Sequence, residues 1–488
     1  MDQVDEIRDA VAAAPQAAAK TLVAVQETPP KLMKGPPLWQ AGLALGAAAL
    51  GLGAAALFRK GPVPQRPRAP AAFAPAGKTL AGASPAVLAQ SPRRHLYAGP
   101  NPAAAVTVED LRAMAHRRLP DFALDYFEGG GEDEATLARN SEALAEWRFK
   151  HRSFVDVSKR DTSTVLFDRK MAMPVAVAPT GLNGVLWPNA DLHLAEAAAA
   201  SGVPFAQSTM SNDGMSRVAQ VPGLRYWWQL YVFGPTEVRN TLIDRARDHG
   251  CEALILTCDA QIYGNREWDK RNRLSSNQLS LTADLDAMMH PRWLVSRLAH
   301  GLPRFENVLE FVPKGHRGLF TSAHWIRQQM DKALDWDIVK EIRDRWPRKL
   351  ILKGLLDVAD VVRAQQIGAD AVALSNHGGR QLDWAVSALD ILPAARAAVG
   401  DRMVLIADGG VRRGTDVLKF LALGADAVFA GRAILYGVAA AGRAGAKRAL
   451  DILHEEIDRD LGLMGVPSIG GLDRSLLVRT RGADGPAA

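Results

Sequence analysis

The chain has 488 residues, of which 48% are hydrophobic and 23% charged, and a net charge of +6. That length holds one barrel of about 250 residues plus additions, in an ordinary globular composition. The basic excess is local, because residues 59–100 carry seven Lys/Arg and no acid, so the balance does not mark a nucleic-acid binder and no nucleic-acid partner is expected.

Residues 1–37 form an Ala-rich polar tail with five acids and four bases. Leu38–Phe58 follows, 21 residues without a charge. That length spans a bilayer core as a helix. Gly42 and Gly46 form a G-x-x-x-G pair that allows close helix packing. The residues before this run make a signal peptide a poor description. The basic flank lies on its C-terminal side, which places the rest of the chain in the cytoplasm as a single-pass membrane protein. Residues 59–100, with eight Pro and ten Ala, read as an extended linker. Order is expected to resume near Val106, with Thr107 as a helix N-cap. The segment Asp125–Gly131 (DYFEGGG) is the next landmark.

Eight short apolar runs then recur: Met173–Gly181, Val203–Thr209, Arg225–Val232, Ala253–Asp259, Lys349–Gly354, Ala371–Gly378, Met403–Gly410 and Ala427–Arg432. Continuous apolar runs separated by helix-like stretches predict parallel strands buried on both faces. Eight of them predict an α/β fold, a (β/α)₈ TIM barrel, preceded by the transmembrane helix and linker. Its active site belongs at the C-terminal strand ends. Those ends carry Thr180, Ser208, Gln229, Tyr231, Thr257, Asp259, Lys353, Ser375, His377, Asp408 and Arg432. Polar residues there are poor packing material, which points to an enzyme. Cys251 and Cys258 flank the fourth strand, match no zinc spacing and read as reduced core thiols. About 90 residues separate the fourth and fifth strands, where a β-α-β unit needs about 30. Within that insertion (272–335), Leu285–Val312 mixes Met, Trp, Leu and Phe with Arg and His. It reads as a lid, a subunit contact or a membrane-interfacial segment.

Three strand ends carry the chemistry. Asp408–Gly414 (DGGVRRG) ends the seventh strand and Gly431-Arg432 the eighth. Glycines admit close backbone approach and arginines offer a fork for phosphate. Barrels of this type place phosphate there. After the sixth strand comes Ser375–Asp383 (SNHGGRQLD). His377 suits a base near neutral pH, and Arg380 suits a substrate carboxylate. Asp259 is placed to orient His377, and Arg266 to pair with Arg380 on an anion. Lys353 suits an electron-rich cofactor.

SNHGGRQLD, DGGVRRGTD, APTGLNG, QLYV and DYFEGGGEDE together resemble the FMN-dependent α-hydroxy acid oxidases and dehydrogenases, over about residues 101–475. The resemblance implies FMN across the barrel mouth. Pro179, Thr180 and Gly181 would meet the flavin, and Ser208, Gln229 and Thr257 would bond its edge. Lys353 would lie near flavin N1, with Ser375 and Asp408 on the ribityl chain. Gly410, Arg412, Gly431 and Arg432 would hold the phosphate. His377 matches the catalytic base, Asp259 its acidic partner, and Tyr231 the tyrosine near the substrate hydroxyl. Tyr126, Arg266 and Arg380 match the carboxylate clamp, and Met210 and Tyr263 border the substrate side chain. Gly181 and the block PTGLNGVLWP look most like the mandelate/lactate dehydrogenase branch. The expected activity is oxidation of an L-2-hydroxy acid to the 2-oxo acid. Electrons would pass to a quinone or other membrane carrier, and the protein would form a homo-oligomer, a tetramer by the same resemblance. The rival readings are an oxidase using O₂, a protein of the same fold acting on a tethered peptide, and a non-enzymatic phosphate-binding barrel.

Overall fold

Apolar residues repeated along both faces of a strand leave no side for water, and here they close the sheet on itself. In the computed structural model, which describes residues 95–275 and 278–480, eight parallel strands form a closed barrel. We number them β1 (Val175–Val177), β2 (Pro204–Ser208), β3 (Arg225–Leu230), β4 (Ala253–Thr257), β5 (Lys349–Leu355), β6 (Ala371–Leu374), β7 (Val404–Ala407) and β8 (Ala427–Ala430). Seven of the predicted runs contain one of them, and β5 extends one residue past its run, to Leu355. Neighbours in sequence are neighbours in the barrel, and β8 closes it on β1 through Val428 opposite Val175. The described residues belong to one compact unit, Ala69–Ala488.

The barrel interior is filled by a few large side chains set among small ones. Trp227 on β3 meets Phe429 on β8 edge to face, with ring centroids 6.0 Å apart. Alanines at 176, 206, 253, 371, 373 and 427 leave room for them, and Ile255, Ile351 and Ile406 complete the layer. Alternating bulk and vacancy in this way brings a small barrel to interior packing density. A hairpin of Thr164–Leu166 and Arg169–Met171 stops the N-terminal end. Its Phe167 lies 5.8 Å from Trp227, and Arg225 ties it down by donating to the Leu166 carbonyl.

Among the described residues, three α-helices precede the barrel: α1 (Val108–Arg118), α2 (Asp121–Glu128) and α3 (Ala135–Ala145). Thr107 caps α1 as expected, in a reciprocal capping box with Asp110. Ordered chain begins before Val106, however. The buried Asp110 also accepts the Tyr97 N–H at 2.7 Å, and Arg117 donates to the Ala98 carbonyl. Tyr97 and Ala98, within the segment read as linker, thus bond to α1. The C-terminal limit moves as well. Leu477–Arg479 pairs antiparallel with Trp147–Phe149, and Thr480 donates to the Glu146 carbonyl. The pairing thus includes residues past 475, among them Leu477–Arg479 and Thr480. The expected transmembrane helix, Leu38–Phe58, lies outside the described residues, as do the tail before it and all but the end of the linker. Among the described residues no helix is long and apolar enough to cross a membrane.

The insertion between β4 and β5 contains α4 (Leu281–Met288), α5 (Pro291–His300) and α6 (Leu319–Gln328). Leu285–Val312 does not behave as one interfacial piece. Leu281, Leu285, Met288, Met289, Val295, Leu298 and Leu302 are exposed, while Phe305, Val308 and Val312 are buried in the core. The outward apolar surface of this segment thus lies on α4, on α5 and on Met289 and Leu302 beside them. The last described helix, α7 (Arg432–Met464), bends at Ala441–Gly442 and packs along α1.

Candidate active site

The C-terminal strand ends and α2 converge on one cavity, as barrel topology requires. Its wall includes Thr180, Gly181, Met210, Tyr231, Lys353, His377, Arg380, Asp408, Arg412 and Arg432.

His377 sits two residues past Ser375, which follows β6, and its backbone adopts φ +59°, a left-handed conformation unfavourable for a side chain with a Cβ. The turn is held by its own N–H donating to Ser375 Oγ at 2.9 Å. This geometry aims the imidazole across the cavity. Nδ1 lies 3.0 Å from Asp259 Oδ1 and Nε2 lies 3.2 Å from the Tyr231 hydroxyl. Burial lowers the His377 pKa below its usual value, Asp259 pulls it up, and Lys353 pushes it down. The net direction is down, so the ring is neutral at pH 7 and one nitrogen is free to accept a proton. Burial works against ionisation of Asp259, but His377 and Lys353 outweigh it and hold the carboxyl below its usual value. Burial raises the Tyr231 phenol well above its ordinary range, so it stays a neutral hydroxyl.

Cations crowd the rest of the cavity. Burial and the neighbouring Arg266 lower the Arg380 pKa to about 10. Burial, Arg380 and Arg412 lower that of Arg432 to about 9. Mutual repulsion of this kind is relieved by bound anions. Arg380 donates to the Gly129 carbonyl at 2.7 Å, and Arg432 to the carbonyls of Phe127, Gly378 and Gly129. Arg266 donates to the Arg380 carbonyl at 3.3 Å. The DYFEGGG segment is therefore fastened to the ends of β6 and β8. Gly131 N–H completes the joint on the Gly379 carbonyl at 2.8 Å. Tyr126 reaches the Gly181 carbonyl at 3.4 Å and lies under Arg380, 5.3 Å from its guanidinium.

Lys353 is buried, donates to Ser375 Oγ at 3.0 Å and stands 3.6 Å from Asp408. Ser208, Gln229 and Thr257 form a chain: Ser208 Oγ donates to Gln229 Oε1 at 2.6 Å, and Gln229 Nε2 to Thr257 Oγ1 at 2.9 Å. Ser208 reaches the cavity wall, along with Pro179, Gly410 and Gly431. Asn183 fixes the β1 loop, donating to Thr180 O and Oγ1 at 3.0 Å and to Asp191 at 2.7 Å. A Cβ on Gly181 would stand 2.7 Å from the Met210 Cβ. The glycine thus lets the β1 loop lie against the wall bearing Met210.

All the sequence-predicted residues except Gln229, Thr257, Asp259 and Ser375 line this cavity; those four stand behind it and bond to residues that do, directly or through one another. Sequence reasoning missed the wall supplied by the insertion: Phe305, Phe320, Ala323, His324 and Arg327. The last four fall at i, i+3, i+4 and i+7 on α6, a helical stripe that spacing alone marks as one face.

Residues 115–479 match the family described as FMN-dependent dehydrogenase. The chain belongs to this family. It is 42% identical over 371 residues to (S)-mandelate dehydrogenase of Pseudomonas putida, covering 76% of this chain and 93% of that protein. It is 40% identical over 369 residues to an L-lactate dehydrogenase of Caulobacter vibrioides, covering 75% and 96%. The crystal structure of the monotopic membrane protein (S)-mandelate dehydrogenase superposes with a TM-score of 0.74 at 40% identity, covering 77% of this chain and all of that one. A mandelate oxidase structure gives a TM-score of 0.66 at 34% identity, covering 77% and 98%.

The family's cofactor is FMN, and the residues present fit it. Gly409 and Gly410 take φ of +104° and +80° and bring backbone to the cavity beside Arg412. Asp408 Oδ1 is buried with no hydrogen-bond partner among the described residues, an acceptor suited to a ligand hydroxyl. Lys353 supplies a buried cation.

Proposed function

We propose that the chain oxidises an L-2-hydroxy acid to the 2-oxo acid and passes the electrons to a quinone or other membrane carrier. The observation that carries this reading is His377, held between Asp259 and Tyr231 in a cavity shared with Arg266 and Arg380. Arg380 and Arg266 bind the substrate carboxylate, with Tyr126 against Arg380. Tyr231 hydrogen-bonds the substrate hydroxyl. His377 Nε2 takes a proton from the substrate, and Asp259 stabilises the imidazolium that forms. FMN, when bound, would supply the acceptor for the two electrons and the remaining hydrogen. Lys353 and Ser208, the latter backed by Gln229 and Thr257, would face the flavin, and Arg412 and Arg432 would hold its phosphate, with Gly410 and Gly431 giving room. Met210 and Tyr263 border the substrate side chain. The test is anaerobic mixing with a panel of 2-hydroxy acids, following loss of flavin colour. A flavin that no member of the panel bleaches would overturn the reading.

Membrane association enters at two places. Leu38–Phe58 supplies a single-pass anchor with the catalytic unit cytoplasmic, on the strength of its length and basic flank. The exposed apolar residues of α4 and α5 supply a second, peripheral contact, in keeping with a relative described as monotopic. Likeness to a mandelate oxidase favours one other reading, an enzyme that reduces O₂. Peroxide formation as fast as turnover with a quinone analogue would select it.

A further inference from the structure

Resting on that reading of the site, we propose that Arg327 and His324 form a second anion subsite at the cavity mouth, which makes 2-hydroxy acids bearing a distal carboxylate preferred substrates.

The face of α6 that meets the cavity carries Phe320, Ala323, His324 and Arg327. An apolar substrate side chain calls for an apolar wall throughout, yet this wall ends in two basic side chains. The positive charges deeper in the cavity have work of their own. Arg412 and Arg432 face a phosphate, Arg266 and Arg380 a carboxylate, and Lys353 stands with Asp408. Two acids line the cavity. Asp408 belongs to Lys353, and Asp269 exerts its charge on Arg380. Among the described residues, Arg327 has no ion pair. Its guanidinium stands 5.7 Å from the centroid of the Tyr263 ring, and Arg266 lies 5.7 Å from the same centroid. Arg266 of the carboxylate clamp and Arg327 thus both neighbour Tyr263, the ring that borders the substrate side chain. A carboxylate at the far end of a short side chain therefore reaches Arg327 while the 1-carboxylate occupies Arg266 and Arg380. His324, one helical turn earlier, has its Nε2 engaged by the Gln328 amide at 3.0 Å, which leaves Nδ1–H to donate to the same group. An exposed guanidinium binds a carboxylate with modest strength but discriminates well between a charged and a neutral chain end.

The test compares two five-carbon acids, L-2-hydroxyglutarate and L-2-hydroxypentanoate, on the full-length holoenzyme. The native protein is expected to favour the diacid in kcat/KM. Arg327→Gln is expected to lower kcat/KM for the diacid by roughly tenfold, chiefly through KM. Its value for the neutral acid should stay within about twofold. Arg327→Lys should restore part of the loss. A native preference for the neutral acid, or an equal loss for both acids in the variant, overturns the subsite. Failure of every 2-hydroxy acid to bleach the flavin would instead reject the underlying reaction, so the two failures are distinguishable.

Discussion

His377 carries a Cβ in a backbone conformation that glycine tolerates better. Such strain persists only where the surroundings over-determine it, and here Ser375, Asp259 and Tyr231 do so. His377→Gln is expected to cost about 10²–10⁴-fold in flavin reduction while FMN binding stays intact, as stopped-flow and absorbance measure. Reduction at the native rate would exclude His377 as the base. The base works only when neutral, so kcat/KM falls as pH drops through its pKa, which burial places below the ordinary histidine value. Asp259→Asn removes an upward influence on that pKa. The acid limb of the profile should therefore move to lower pH as the maximal rate falls, and an upward move would refute the pairing. The identities of His377, Asp259 and Tyr231 were legible because each polar residue ends an apolar run. The strained turn and the arginine–carbonyl bonds to the DYFEGGG segment were not, since backbone acceptors carry no sequence signal.

At the scale of elements, a strand buried on both faces announces itself, and each predicted run marks its strand. Helix α6 does not, because its stripe is short and faces a cavity rather than the core. The insertion shows the same limit. Composition flagged Leu285–Val312 as one piece, whereas Phe305, Val308 and Val312 pack inward. Only their neighbours in space decide that difference. Placing serine at Leu285, Val295 and Leu298 should weaken co-flotation with lipid vesicles and leave flavin reduction unchanged. Undiminished flotation would locate the peripheral contact elsewhere. At the first helix, Thr107→Ala should cost about 1 kcal/mol, read as a lower denaturation midpoint. Asp110→Ala should cost more, because Asp110 also accepts the N–H groups of Tyr97, Val106 and Thr107.

For the whole molecule, the described residues that line the cavity run from Tyr126 to Leu435. A protein lacking residues 1–94 should therefore keep FMN and activity, yet lose resistance to high-salt extraction from membranes. Loss of flavin would show that the N-terminal region belongs to the catalytic unit. The barrel was legible from sequence, but its ends were not. Trp147–Phe149 and Leu477–Arg479 are three residues each, and Arg479 meets Glu146 from 333 positions away. Nothing in so short a pair advertises its partner. The same closure has a consequence for synthesis. Strand β1 waits for β8, roughly 250 residues later, before its free edge is covered. At translation rates of about 5–20 residues per second, that is some 13–50 s of exposed sheet edge. The arginine that ties DYFEGGG to β6 and β8 arrives with the same final strand. A ribosome stalled before Arg432 therefore releases a chain that is sticky and colourless, and flavin uptake becomes a report on completed translation.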